Sequence, residues 1–226
     1  DWAARSGDLE TLKWLREVGC SWGPNTFNYA AANGGWDMLK WLIDNECPFG
    51  YGRGTISSAA ENGRIDVVKW LRDQGCPWDD YACQDAARAG HFEMLKWLKE
   101  QGSPFDCRIL SVACEGGFLE MAIWAKENGC FESMNDTRLC GLAAFKGHLK
   151  MLQWLMEEGF PSEDSDICVA AAHGGHLEVL KWARENGCSW DCMTVYGAGT
   201  EVRPDVFFWA VENGCPLGRP LQTNKQ

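Results

Sequence analysis

The chain has 226 residues, 46% hydrophobic and 23% charged, with 21 basic against 32 acidic residues and a formal net charge of −11. Such a field repels a phosphate backbone, and no run of Lys and Arg offsets it, which argues against nucleic acid and anionic lipid as partners. No hydrophobic stretch approaches the ~20 residues needed to cross a membrane, so no membrane insertion is expected.

Eight tryptophans stand in one recurring context: Trp14, Trp41, Trp70, Trp97, Trp124, Trp154, Trp182 and Trp209, separated by 27, 29, 27, 27, 30, 28 and 27 residues. Only half a first helix precedes Trp14, so the array is expected to be cut there or longer upstream. The Trp70 and Trp97 units carry the repeat clearly, as AAENGRIDVVKWLRDQGCPW from Ala59 and AARAGHFEMLKWLKEQGSPF from Ala86. The fifth unit ends irregularly over residues 129–136, which predicts a longer loop. The Trp182 unit, AAHGGHLEVLKWARENGCSW from Ala171, is the most regular. The last unit has Val202 where the others have glycine and is followed by a polar stretch, so it is expected to cap the array.

Each unit predicts two helices. The first ends at a small pair such as Ala86-Ala87. A glycine follows in seven of eight units (Gly7, Gly34, Gly63, Gly90, Gly117, Gly147 and Gly175), suited to a left-handed helix cap. The second helix ends at another glycine, often with proline two residues on. Counted from the tryptophan, its apolar positions are −5, −3, −2, 0 and +1, about 220° of the circumference at ~100° per residue. A helix on a single core needs only ~100°. The wider stripe predicts contact with a partner helix and a neighbouring repeat, leaving the charges at −4, −1 and +3 as an outer wet face. The first helix has one larger apolar residue at −14 (Phe27, Ile56, Cys83, Leu110, Cys140, Cys168, Val195) and then alanines, so successive first helices can crowd along the inner side of a curve.

The run Ala171–Cys188 resembles the ankyrin repeat's A-A-x-x-G-H-x-E-V-V-x-L-L-L-x-x-G-A, with Trp182 where ankyrins carry an aliphatic residue. The resemblance covers nearly the whole chain. It implies an all-α solenoid of about eight stacked helix-turn-helix units over residues 1–217, followed by a polar tail at 218–226. Two departures stand out. The period is mostly 27 rather than 33, which removes residues that form the β-hairpin finger, and the T-P-L-H motif is replaced by sequences such as Tyr81-Ala-Cys-Gln84.

Six of the twelve cysteines (Cys20, Cys47, Cys76, Cys130, Cys188 and Cys215) share one repeat position. Equivalent positions in packed helices lie roughly 10 Å apart, beyond the ~7 Å reach of a disulfide. Small buried thiols in a reducing, cytoplasmic compartment are the expectation. No convergent catalytic set, metal-ligand pair or phosphate loop is found, so neither enzymatic activity nor a cofactor is expected. His91, His148 and His176 share the position after the glycine, where the resemblance implies a structural role. The recurring tryptophans, and Trp36, are read as packing residues.

A structural residue repeats, whereas a binding residue need not. The positions at −9 and −8 vary, and in ankyrins the matching positions border the binding face. They nominate Arg5, Asn33, Glu61, Asn62, Arg88, Phe145, Lys146 and His173, with Arg53 and Tyr196 added on the inner side. The expected function is a non-enzymatic adaptor or scaffold binding another protein, a basic one given the charge. A structural subunit of a large permanent assembly is the alternative, and an enzyme or small-ligand binder the lesser one.

Overall fold

The computed structural model describes residues 1–50, 54–130, 137–161, 164–200 and 203–217. Within them the chain forms sixteen α-helices and no strand. They alternate as first and second helices of eight pairs: α1 (Trp2–Ser6) with α2 (Leu9–Glu17), α3 (Thr26–Asn33) with α4 (Trp36–Asp44), α5 (Thr55–Glu61) with α6 (Ile65–Asp73), and α7 (Ala82–Arg88) with α8 (Phe92–Glu100). There follow α9 (Arg108–Gly116) with α10 (Leu119–Glu127), α11 (Arg138–Lys146) with α12 (Leu149–Glu157), α13 (Asp164–Gly174) with α14 (Leu177–Glu185), and α15 (Cys192–Thr200) with α16 (Pro204–Glu212). Two compact units divide the chain, Asp1–Val112 and Ala113–Gln226.

In the first unit α1, α3, α5 and α7 pack in succession, while the backbones of α2, α4, α6 and α8 stay further apart. The alanine pairs allow this. Ala30-Ala31, Ala59-Ala60 and Ala86-Ala87 are completely buried, and a side chain no larger than a methyl lets helix backbones approach. Closer spacing on the first-helix side makes that side of the unit concave. The same order, α11 to α13 to α15, holds in the second unit. Every residue at −14 is buried, as predicted, and so is nearly every residue at −3, −2 and +1 of the second helices. Full burial of such side chains contributes about 1.5–3 kcal/mol each, but only when a neighbouring pair closes over them.

The links between neighbours are polar as well as apolar. Six residues before the tryptophan, several pairs place a side chain that reaches back over the preceding pair. Arg64 donates to the carbonyls of Ala30 and Ala31 at 3.2 and 2.9 Å. His91 Nε2 donates to the Glu61 carbonyl at 3.2 Å, and His148 Nε2 to that of Glu115 at 3.0 Å; a carbonyl can only accept, so Nε2 carries the proton. His176 bonds the Phe145 backbone in the same way, and burial pushes its pKa below the ordinary histidine value. These rings cover the glycines: a Cβ at Gly63 would stand 2.8 Å from His91, and one at Gly147 would stand 2.5 Å from His176. Both glycines also have positive φ, 68° and 79°.

A second seam runs along the starts of the first helices. Asp1 accepts from Thr26 at 2.9 Å, Asn28 from Thr55 at 2.8 Å, and Asp79 from the Ser57 backbone at 2.9 Å. Asp79, Asp106 and Asp191 stand eighteen residues before their tryptophans. Each accepts the N–H two residues on, at 3.0, 2.9 and 2.8 Å, which fixes the turn into the next helix. On the second-helix side, Arg16, Arg72 and Arg184 lie 4.2–4.3 Å from the ring centroids of Trp22, Trp78 and Trp190. They also donate to the carbonyls of Cys20, Cys76 and Cys188. Those three tryptophans meet Trp41, Trp97 and Trp209 edge to face, a geometry aromatic quadrupoles favour.

Four expectations need correction. Gly34 is extended, with φ −69° and ψ 149°, because its N–H closes a single bond to Ala30 and the next residue, Gly35, has no side chain to reach back. Cys20 is exposed, unlike the buried Cys47, Cys76, Cys130, Cys188 and Cys215 at the same repeat position. Trp36 is 38% exposed; it packs edge to face on Trp70 at 5.7 Å rather than in the core. The last pair does not present the polar face of a cap: Met193, Tyr196, Phe208 and Leu217 are exposed.

All twelve cysteines are free thiols. Burial pushes the thiols of Cys47, Cys76 and Cys168 up to about 12, and those of Cys83 and Cys140 up to about 11. At neutral pH they are protonated and unreactive. Iodoacetamide on the native chain is expected to modify Cys20 well before Cys76 or Cys168, as read by peptide mass spectrometry. Equal rates would contradict this burial pattern.

Candidate functional site

The variable residues at the ends of the first helices come together in the first unit. An open depression of about 740 Å³ is lined by Arg5, Asn25, Asn28, Tyr29, Ala32, Asn33, Ser58, Glu61, Asn62 and Ala89. Helix periodicity explains the set. Tyr29 and Asn33, and likewise Ser58 and Asn62, are four apart and share one helix face, while the alanine pairs point the other way, into the core. Crowding of α1, α3 and α5 then sets these faces side by side.

Four of the nominated residues, Arg5, Asn33, Glu61 and Asn62, therefore belong to one surface. The Arg5 guanidinium lies 5.9 Å from the Tyr29 ring centroid. Asn62 donates to the Ser58 carbonyl at 2.9 Å. Asn28, largely buried, accepts from Thr55. The Asn33 side chain makes no hydrogen bond among the described residues. Arg88 is exposed but already paired, 2.7 Å from the buried carboxylate of Asp85. Asn25, Asn28, Tyr29 and Ser58 were missed by the sequence reasoning, and only Tyr29 and Ser58 stand four residues before nominated positions.

Four other nominated residues lie in the second unit. Phe145 is 44% exposed, and Lys146 beside it pairs with Glu115 at 3.3 Å. His173 is half-buried, its Nε2 enclosed with no hydrogen-bond partner among the described residues. Tyr196, 64% exposed, lines a separate depression of about 430 Å³ with Cys192, Val195, Gly199, Phe207 and Leu217. Arg53, the 131–136 insertion and the tail at 218–226 lie outside the described residues. Among the described residues no cluster of three or more His, Cys, Asp or Glu is placed to hold a metal ion, and no helix is long and apolar enough to cross a membrane.

The family model for ankyrin repeats, in three copies, matches residues 1–85. Residues 1–85 of this chain are thus similar to ankyrin repeats. The crystal structure of the human ASB11 ankyrin repeat domain is similar to it with a TM-score of 0.56 at 20% identity, covering 72% of this chain and 84% of that one. That likeness extends the ankyrin fold beyond the residues the family model matches. No curated protein matches the chain in sequence. Ankyrin repeats are generally protein–protein interaction modules and typically non-enzymatic.

Proposed function

We propose that this chain is a non-enzymatic adaptor or scaffold that holds another protein against its first-helix face, in a reducing, cytoplasmic setting. The observation that carries this reading is the depression of the first unit, where residues that vary from repeat to repeat share one concave surface. A catalytic site needs convergent groups in a deep, water-excluding pocket, whereas this surface is broad and open. The acidic excess favours a partner of net positive charge, and Phe145 offers an aromatic anchor on the second unit.

Affinity capture with the whole chain as bait tests the reading. Asn33→Trp and Asn62→Trp fill the depression and are expected to lower recovery of the captured protein at least tenfold, about 1.4 kcal/mol. Glu93→Trp, on the exposed side of α8, is expected to leave recovery unchanged. Equal recovery with all three rejects this surface. A second reading, a permanent subunit of a larger assembly, draws support from the exposed Met193, Tyr196, Phe208 and Leu217.

A further inference from the structure

The depression in the first unit is lined by one charge of each sign, and neither is neutralised among the described residues. Arg5 contributes a guanidinium from α1 and Glu61 a carboxylate from α5, with the whole of α3 between them. Among the described residues neither side chain has an ion-pair partner. Some other charges of this unit are paired: Arg88 is held by Asp85, Lys13 by Glu10 and Lys96 by Glu93. Arg5 is also steadied by the Tyr29 ring, which orders a side chain that otherwise loses conformational entropy on binding.

Between the two charges the surface is lined by carboxamides. Asn33 and Asn62 are exposed, and Asn25 and Asn28 lie deeper. A carboxamide presents donors and an acceptor together, the same pair of functions a peptide backbone presents. It therefore suits an extended segment whose own N–H and C=O groups are unpaired, and it is indifferent to most side chains.

The packing of α1, α3 and α5 sets the scale. Neighbouring helices lie about 8–10 Å apart, so the charges stand about 16–20 Å apart along the stack. An extended chain advances about 3.3 Å per residue, so five or six residues span that length.

We propose that the first unit binds an extended peptide segment of its partner, with an acidic residue against Arg5 and a basic residue against Glu61 five or six positions away, its intervening backbone laid across Asn33 and Asn62. The inference rests on the concave-face reading above and adds the partner's charge register. An acid and a base at a fixed spacing can be recognised even by a strongly acidic chain, because each meets its opposite locally while the field of the whole selects against segments of net negative charge.

Random twelve-residue peptides displayed and selected on the whole 226-residue chain provide the test. The selected pool is expected to be enriched in acid–base pairs five or six positions apart. Arg5→Glu and Glu61→Lys should each weaken a selected peptide about tenfold, with thermal melts unchanged. Exchanging the peptide's basic residue for an acidic one should restore binding to Glu61→Lys and lower it for the unsubstituted chain. A pool without that spacing, or peptides indifferent to both reversals but lost with Asn33→Trp, would overturn the charge register while leaving the concave-face reading intact. Peptides bound equally by every variant, or a selection that yields no binders, would overturn the proposal.

Discussion

Replacing Phe27 by alanine is expected to destabilise the first unit by about 3–5 kcal/mol, the usual cost of emptying a buried aromatic site. The ring is fully buried on α3 and packs edge to face on Phe49 with centroids 5.1 Å apart. Its surroundings are poorly able to close over the gap, because α3 is held from both sides by α1 and α5. Urea denaturation followed by far-ultraviolet circular dichroism measures the effect. A loss below about 1 kcal/mol would mean the site collapses freely, against the packing described. Phe145→Ala supplies the contrast: its ring is exposed, and a change within about 0.5 kcal/mol is expected.

Gly147→Ala is the second large effect, and it should depend on another repeat. A side chain at φ 79° costs about 1–2 kcal/mol by itself. The new Cβ would also stand 2.5 Å from the His176 ring, which bonds the Phe145 carbonyl in the same joint. A total of about 2–3 kcal/mol is expected. His176→Ala alone forfeits roughly one hydrogen bond, about 0.5–1.5 kcal/mol. The double variant should then cost less than the sum, since removing the ring relieves the overlap. Strict additivity in the double-mutant cycle would contradict a ring seated on the glycine.

Much of this architecture was legible because a repeat averages out its own accidents. Burial at −14 could be read from Phe27, Ile56 and Cys83 together, where any one of them alone would have been ambiguous. The helix pairs followed from the width of the apolar stripe and from glycines at fixed positions. What escaped were the features that deviate from the average or that pair different positions in adjacent repeats. Gly34 and Cys20 were assigned the properties of their class, yet the first is followed by a residue without a side chain and the second is exposed. The stacking of Arg72 on Trp78 links positions six apart within one repeat and Trp78 to Trp97 in the next, a relation no single-unit pattern displays. The candidate site was half legible: variability pointed to Arg5, Asn33, Glu61 and Asn62, whereas Tyr29 and Asn28 needed the helix faces to be set side by side.

Gly35 occupies the position from which Arg64, His91 and His176 bridge to the pair before them. The joint between α1–α2 and α3–α4 thus lacks that fastening, and is held by the packing of α1 on α3, the Asp1–Thr26 bond and the Arg5–Tyr29 and Trp22–Trp41 contacts. In an array held together only by adjacent members, tension does not spread evenly but finds the poorest link. Drawn along the stack, the first unit should part first between α1–α2 and α3–α4, giving up the Arg5 side of the depression while Glu61 is still in place.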